Sequence, residues 1–562
     1  MFLNVLFIFG QMLSILLMPT LTAQIIDEGV AEGNMEYIFK MGGVMVIIAV
    51  LGFVCALLNV YFSATESQRL GHKIREQLFQ KILSFSNEEI DRFGTSTLIT
   101  RTINDVTQFQ SVMMFLVRFL ILDPIRIVTA TVLAYLQAPK MAFVFVIVVP
   151  ILVFFIFLLL KKTSPLYRSL QGMTDNLNRI FREGLTGIRV VRAFNQEIYE
   201  EKRFDEANEE YASTSILAHI YMALIHPLMI GTISATTVMI VWFGAQFVSI
   251  GDMNIGSIIA LHTYALNILF GIIMLSSVIM MIPRAQVSAE RILEVLDTEN
   301  SIQDPANPVH MDANAKDIAL SFNDVNFRYP GAEELALQDI SFDLKAGQRL
   351  AIIGGTGSGK STLVNVLLRL YDVSSGSIQI NGTDIRDLTQ ENLRELIGLA
   401  TQSVVLFAGT IRENMKYGNE SASDEEIWEA LEIAQGADFV RKLPGQLDAR
   451  VEQGGANFSG GQRQRLSIAR ALITHAPILV FDDSFSALDF KTDAKLRHEL
   501  SPVTEDRAVI IIAQRISTVT DADQILVLDY GKAVGFGTHE ELKQNNKVYQ
   551  EIMNSQLKGE DI

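Results

Sequence analysis

The chain has two textures. Up to about Pro283, long apolar runs are separated by polar stretches; beyond about Asp317, apolar residues come in strand-length blocks among charges, glycines and turn formers. Crossing the hydrocarbon core of a bilayer takes about 20 predominantly apolar residues in a helix. Six segments reach that length with their flanks: 3–22, 38–62, 112–136, 141–160, 220–248 and 255–282. The first does not read as a cleaved secretion signal, because a basic leading region and an Ala-x-Ala site near Thr22 are both missing. The connections differ in charge. Lys73, Arg75, Lys81, Arg92 and Arg101 lie between the second and third spans, and Lys161, Lys162, Arg168, Arg179, Arg182, Arg189, Arg192, Lys202 and Arg203 between the fourth and fifth. On the opposite side stand Asp27, Glu28, Glu32, Glu36 and Asp252. Basic residues stay cytoplasmic, which places both long loops and the domain after the last span in the cytoplasm.

Both long loops are rich in helix formers with apolar residues at helical spacing, as over 179–204, and predict helices that continue the spans beyond the bilayer. A further helix is predicted over 286–297, and Asp304-Pro305-Ala306-Asn307-Pro308 breaks the pattern. The expected division is a helical membrane domain at 1–284, a linker at 285–317 and an α/β domain at 318–562. A net charge of −17 argues against nucleic acid as a partner, since phosphate neutralisation needs basic patches. Cys55 is the only cysteine, so no intrachain disulfide is possible.

The α/β domain carries the chemistry. Gly354, Gly355, Thr356, Gly357, Ser358, Gly359, Lys360 and Ser361 match G-x-x-x-x-G-K-S, a phosphate-binding loop. A predicted strand over 349–353 precedes it, and a helical pattern starting at Thr362 follows. In that context the backbone N–H groups and the helix N-terminus face phosphates, Lys360 reaches the terminal ones, and Ser361 is placed to ligate Mg2+. A second buried strand, Ile478-Leu479-Val480-Phe481, ends in Asp482, the expected metal-side carboxylate.

Around this core, Tyr329 in Val325-x-Phe327-x-Tyr329 resembles an aromatic that stacks on adenine, and Gln402 resembles a Q-loop glutamine. Phe458-Ser459-Gly460-Gly461-Gln462 is similar to the LSGGQ signature, and Ser486-Ala487-Leu488-Asp489 to a D-loop. Together with the six spans, the chain resembles an ABC exporter half-transporter: a membrane helical bundle fused to an α/β P-loop ABC-type ATPase. The resemblance implies ATP with Mg2+ as cofactors, Gln402 as a further metal-side group, and a second half-transporter chain as partner. It further implies that Ser459, Gly460, Gly461 and Gln462 serve the nucleotide held by that partner, and that short transverse helices near 96–104 and 187–195 dock on the ATPase domains. A helix N-terminus at Gln462 is itself an anion site in want of a phosphate.

Two departures from the family pattern bear on mechanism. Asp483 stands where the family has a general-base Glu, withdrawing the carboxylate by roughly 1.5 Å, and misplacement near 1 Å can cost about 100-fold. Gln514 stands where it has a switch histidine; an amide donates a hydrogen bond but carries no imidazolium charge. The combination resembles the degenerate-site subunit of a heterodimeric bacterial multidrug-type exporter, moving a drug, lipid or peptide. A homodimeric pump with two slow sites and a nucleotide-gated regulatory subunit or pore are the alternatives. In the membrane half, Arg118, Asp123 and Arg126 in the third span must face the bundle interior or water. His226, His262, Tyr264 and Asn267 are candidates either for a cavity lining or for helix packing, and Phe115, Phe119, Phe270 and the methionines for an adaptable apolar surface.

Overall fold

Segments apolar on nearly every side can satisfy their backbone in lipid only as helices, and the first half of the chain is almost wholly helical. The computed structural model describes residues 2–312 and 317–560. They form two compact units, Met1–Ile82 with Ser96–Thr298 and Leu83–Thr95 with Glu299–Ile562. Among the described residues of the first unit, five helical runs are long and apolar enough to cross a membrane: Leu3–Val30, Met35–Leu83, Pro139–Thr186, Glu197–Ser249 and Ile255–Leu296. The 49 residues of Met35–Leu83 extend about 70 Å at 1.5 Å per residue, more than twice the ~30 Å hydrocarbon thickness. Phe39, Phe53, Val146 and Trp242 are exposed on these helices, an arrangement that water penalises and hydrocarbon does not.

The third predicted span is helical but wound in three pieces, Val106–Phe115, a π-helical stretch Leu116–Leu120, and Ile121–Gln137. Pro124 explains the change of winding. It has no N–H to give the Leu120 carbonyl, and its ring crowds that carbonyl. Asp123 is fully buried and pairs with Arg126 Nη1 at 3.3 Å, while the Arg118 guanidinium lies over the Phe119 ring, 5.0 Å from its centroid. Tyr264 is buried and bonded to Thr20 Oγ1 at 2.6 Å and to the Leu16 carbonyl at 3.2 Å. His262 Nδ1 lies 3.2 Å from Thr237 Oγ1, and Asn267 donates to the Thr263 carbonyl at 2.9 Å. Tyr264 and His262 thus bond across to neighbouring helices, whereas the Asn267 bond and the Asp123–Arg126 pair stay within one helical segment. Close approach of the first two long helices depends on Gly52, where any Cβ would collide with Ser14.

Among its described residues the second unit has twelve strands: β1 Ala319–Phe327, β2 Leu337–Lys345, β3 Arg349–Gly354, β4 Ser375–Ile380, β5 Thr383–Asp384, β6 Ile397–Ala400, β7 Gly409–Thr410, β8 Arg450–Val451, β9 Ile478–Asp482, β10 Ala508–Ile512, β11 Gln524–Asp529 and β12 Lys532–Gly537. Ten of them form one sheet in the order β5-β4-β1-β2-β12-β11-β3-β10-β9-β6, and β7 pairs with β8. β11, β3, β10, β9 and β6 run parallel. Their apolar runs without alternation, such as Ile478, Leu479, Val480 and Phe481, all buried, are what burial on both faces requires. A separate apolar cluster gathers Ile411, Met415, Ile427, Leu431, Leu466 and Leu472 around the helix Gly460–Ile473.

The resemblance points to 96–104, but the short helix that belongs with the second unit is Asn87–Phe93; residues 95–105 lead into the third span as Thr95–Thr100 and Arg101–Asp105. The reason is local. Ser86 and Glu89 form a capping box that starts a helix, and Gly94 at φ +73° ends it. Glu89 also accepts from Ser301 N at 2.9 Å, Asn300 Nδ2 donates to the Ser84 carbonyl at 2.7 Å, and Tyr371 Oη donates to Asp91 Oδ2 at 2.6 Å. Burial and the bond to Asp91 push the Tyr371 phenol well above its ordinary value, so it remains a donor at any physiological pH. A short helix, Ile188–Ala193, falls within 187–195.

Tyr371→Phe removes the only hydroxyl in that contact while keeping its ring among Phe327 and Tyr329. Amide hydrogen exchange over 87–93 is expected to speed up by roughly 3–10-fold with exchange in β3 unchanged, the size of one net hydrogen bond. Unchanged exchange over 87–93 would show that the hydroxyl does not hold this helix.

Candidate functional site

Parallel register brings the predicted groups together. Ile512 on β10 is level with Asp482 on β9 and Ile352 on β3, and Ala400 on β6 is level with Phe481. The phosphate loop leaves the C-terminal end of β3, Gln514 follows β10 by two residues, Asp482 closes β9, and Gln402 follows β6 by two. Four neighbouring strands thus open their carboxyl ends on one place, where open parallel sheets bind ligands.

The loop's shape requires its glycines. Gly357 and Gly359 have φ of +80° and +100°, and a Cβ at Gly359 would lie 2.9 Å from both the Ala336 carbonyl and Leu337 Cδ2. A Cβ at Gly354 would collide with the Leu528 carbonyl. Gly359 caps the helix Lys360–Leu367 in a left-handed conformation, so the first N–H groups of that helix point into the loop. Lys360 Nζ turns back on the loop, donating to the Gly354 and Gly355 carbonyls at 2.8 and 2.7 Å. Burial holds its ammonium below the ordinary lysine range, against the pull of Asp483 and Asp482. A charge held over carbonyls at the mouth of a ring of N–H groups suits an arriving phosphate.

A cavity of about 430 Å³ opens over this loop. It is lined by Thr356, Gly357, Ser358, Gly359, Lys360, Ser361, Thr362, Tyr329, Gln402 and Gln514. The same wall contains Glu334, Leu335, Ala336, Tyr530 and Gly531, which sequence reading missed. These lie on two turns remote from the loop in sequence. Their only signal is Gly531, at φ +78°, where a Cβ would lie 2.7 Å from the Ala336 carbonyl, and whose N–H donates to the Ser358 carbonyl at 3.2 Å. Tyr329 stands edge-on to Phe327 and Tyr371, and its hydroxyl meets Thr362 Oγ1 at 3.1 Å. A larger recess of about 1220 Å³ lies beside Phe85, Asn300 and Tyr417, and none of residues 354–361 is among the described residues that line it.

Asp483 is the meeting point of the remaining groups. Its Oδ2 accepts from Gln514 Nε2 at 2.8 Å and from Gln402 Nε2 at 3.3 Å. Its backbone is held at φ +47°, with its N–H bonded to the Ile512 carbonyl at 2.9 Å. Burial, and next the charge of Asp483, raise Asp482 to about 6, although Lys360 opposes this. Two adjacent carboxylates facing one half-buried ammonium leave the unliganded site short of positive charge.

Residues 459–462 lie apart from this cavity: none of them is among the described residues that line it. Ser459 caps Gly460–Ile473, accepting from Gln462 N at 3.3 Å, and Gln462 Oε1 accepts from Ser459 N at 2.9 Å. At Gly460 an added Cβ would meet nothing within 4 Å, whereas at Gly461 it would lie 3.2 Å from the Ala487 carbonyl of this chain's own D-loop.

Comparison with known proteins agrees with this geometry. Residues 1–273 match the family model of the ABC transporter transmembrane region, and residues 337–486 that of the ABC transporter. An uncharacterized ABC transporter ATP-binding protein of Mycobacterium tuberculosis is 40% identical over 547 residues, covering 97% of this chain and 94% of that protein. An ATP-dependent lipid A-core flippase of Desulfotalea psychrophila is 34% identical over 502 residues, covering 88% and 87%. A solved structure of a bacterial Atm1-family ABC exporter with ATP bound superposes with a TM-score of 0.81 at 25% identity over 98% of both chains. The chain belongs to the ABC transporters, in the exporter form that fuses a multi-pass membrane domain to an ATPase: it is an ATP-binding protein for ATP-driven export.

Because a carboxylate raised to about 6 contributes stability while protonated and loses it as pH rises from its unfolded value through 6, Asp482→Asn is expected to raise the melting temperature of the nucleotide-free protein at pH 7.5 by a few degrees. The same change should remove most of the further stabilisation by Mg–ATP, read by thermal shift. A lower melting temperature without nucleotide would contradict the charge balance described here.

Proposed function

We propose that this chain is one half of a heterodimeric exporter of the bacterial plasma membrane, and that the ATP site built on its own phosphate loop is the slow one of two. Asp483 carries the reading. At the position of a general base, its carboxylate is one methylene short and its Oδ2 is already engaged by two amides, neither of which accepts a proton. The remaining oxygen, Oδ1, is drawn back by roughly 1.5 Å from where a glutamate would meet a water attacking the terminal phosphate. Lys360, the loop N–H groups and Thr362 would still hold the triphosphate, with Tyr329 beside the base. Ser361, Gln402 and Asp482 would hold Mg2+; the ion supplies charge neutralisation across the terminal phosphates. The donor set fits such an ion, because it would relieve the crowding of Asp482 against Asp483 that burial intensifies.

Export then follows from alternation. ATP held between this phosphate loop and the partner's signature closes the pair of ATPase domains. Hydrolysis at the other site, completed here by Ser459, Gly460, Gly461 and Gln462, reopens them. That Ser459, Gly460, Gly461 and Gln462 are not among the described residues lining this chain's own cavity supports that division of labour. The substrate class is hydrophobic or amphipathic, a drug, lipid or peptide; that a relative is named for lipid A-core transport supports a lipid among these. In vesicles containing the two chains, accumulation against a gradient is the expected result. Purely downhill flux would indicate a nucleotide-gated pore, and full ATPase activity from this chain alone a homodimer.

Site-resolved assays test the asymmetry. Lys360→Ala is expected to abolish trapping of labelled nucleotide on this chain and spare trapping on the second subunit. Asp483→Asn should change steady-state turnover by less than about threefold, whereas replacing the second subunit's corresponding glutamate lowers it by about 100-fold or more. Gly460→Val, whose Cβ would have no atom of this chain within 4 Å beyond its chain neighbours and own helix backbone, should lower turnover by a similar factor because it crowds the nucleotide bound opposite. Equal loss of trapping from both chains, or loss of all turnover with Asp483→Asn, would overturn the assignment.

A further inference from the structure

The last helix of the chain, Lys547–Glu560, packs one stripe against the sheet that carries the phosphate loop. Tyr549 is fully buried there, with its hydroxyl 2.7 Å from His539 Nδ1, and Ile552 and Met553 lie in the same cluster as Ile353, Ala513, Ile516 and Val527. Positions 549, 552, 553 and 556 follow the i, i+3, i+4, i+7 spacing of one helix face. The fourth of them is Gln556, and its amide makes two bonds to one short piece of backbone. Nε2 donates to the Gln514 carbonyl at 2.7 Å, and Oε1 accepts from the Ile516 N–H at 2.8 Å. That backbone lies just beyond the end of β10, between the strand and the short helix Ile516–Val519.

From this geometry we infer that Gln556 is a positioning residue for Gln514: the C-terminal helix sets the angle at which the Gln514 amide reaches Asp483 and the nucleotide site. The two-point grip matters because a single bond leaves a peptide free to rotate about it, whereas a donor and an acceptor bound two residues apart fix the peptide's orientation. Gln514 Nε2 then meets Asp483 Oδ2 at 2.8 Å. Asp483 is tied in turn to β10 through the Ile512 carbonyl. The order of transmission is therefore C-terminal helix, Gln514 backbone, Gln514 amide, Asp483. Arg515, between the two gripped residues, reaches the Ser486 carbonyl of the D-loop at 3.1 Å, so the same grip steadies a second element facing the partner.

The inference rests on the reading of Gln514 as a group facing the terminal phosphate, and the test separates the two. The assembled full-length transporter in lipid nanodiscs is loaded with labelled ATP, and release from this chain is followed for Gln514→Ala, Gln556→Leu, Gln556→Glu and the double variant Gln514→Ala/Gln556→Leu. Gln556→Leu keeps the helix stripe apolar and removes both bonds. It is expected to speed release about tenfold, the factor that goes with losing one to two net hydrogen bonds, with the melting temperature lowered by no more than a few degrees. Gln556→Glu should be worse, because it sets a carboxylate against the Gln514 carbonyl; a merely space-filling residue would not show that order. Once Gln514→Ala has removed the amide being aimed, adding Gln556→Leu should have no further effect. If Gln556→Leu does not fold, Gln556→Asn, which draws the same groups back by about 1.5 Å, reads the same effect. Faster release with Gln514→Ala but not with the Gln556 variants, or additive effects in the double variant, overturns the positioning role alone. No effect of Gln514→Ala overturns the reading of the site beneath it.

Discussion

The parallel register of β3, β10, β9 and β6 is the constraint on which the rest depends. Each strand is short and apolar, and each ends in or just before one polar group that would be unremarkable on its own. Pairing level by level, Ile352 with Ile512 and Ile512 with Asp482, converts four separate chain positions into one mouth. A register slip would displace Asp482 from its level beside Ile512 and break up the mouth. The apolar core that stabilises the domain is therefore also what sets the distances of the chemistry.

Charge within that mouth is unbalanced by construction. Two carboxylates stand side by side on a buried strand end, and the one nearby ammonium is bonded to the carbonyls of its own loop. Such a site is at its least comfortable without ligand, and the phosphates and metal that fill it correct the imbalance. The Asp483 carboxylate is a different matter: two glutamine amides engage it from neighbouring strand ends. An acid so held is well placed to organise the site and poorly placed to take a proton from water.

A physical route leads away from the site through aromatic residues. Thr362 of the phosphate loop meets the Tyr329 hydroxyl, Tyr329 stands edge-on to Tyr371, and Tyr371 donates to Asp91 on the helix Asn87–Phe93. Each step is a direct contact between rigid groups, and Glu89 and Asn300 pin the same helix from the other end. Rearrangement at the phosphate loop has a short path to a segment that the chain order places between two membrane helices.

Much of this was legible in the sequence because it is carried by local or strictly spaced signals. Apolar runs of bilayer length, the asymmetry of basic loops, the glycine-rich loop between strand and helix, and the signature and D-loop motifs each need only near neighbours. Tertiary structure decided what depends on residues far apart in the chain. Glu334, Ala336 and Gly531 join the cavity wall only because two turns fold over the loop, and Gln556 reaches Gln514 only because a helix stripe packs back on the sheet. The short helix Asn87–Phe93 forms where a capping box and Gly94 punctuate the chain, a short-range signal in the sequence, although the resemblance pointed to 96–104. The engagement of Asp483 by Gln402 and Gln514 likewise exists only once three strands lie in register, since no spacing along the chain relates residues 402, 483 and 514.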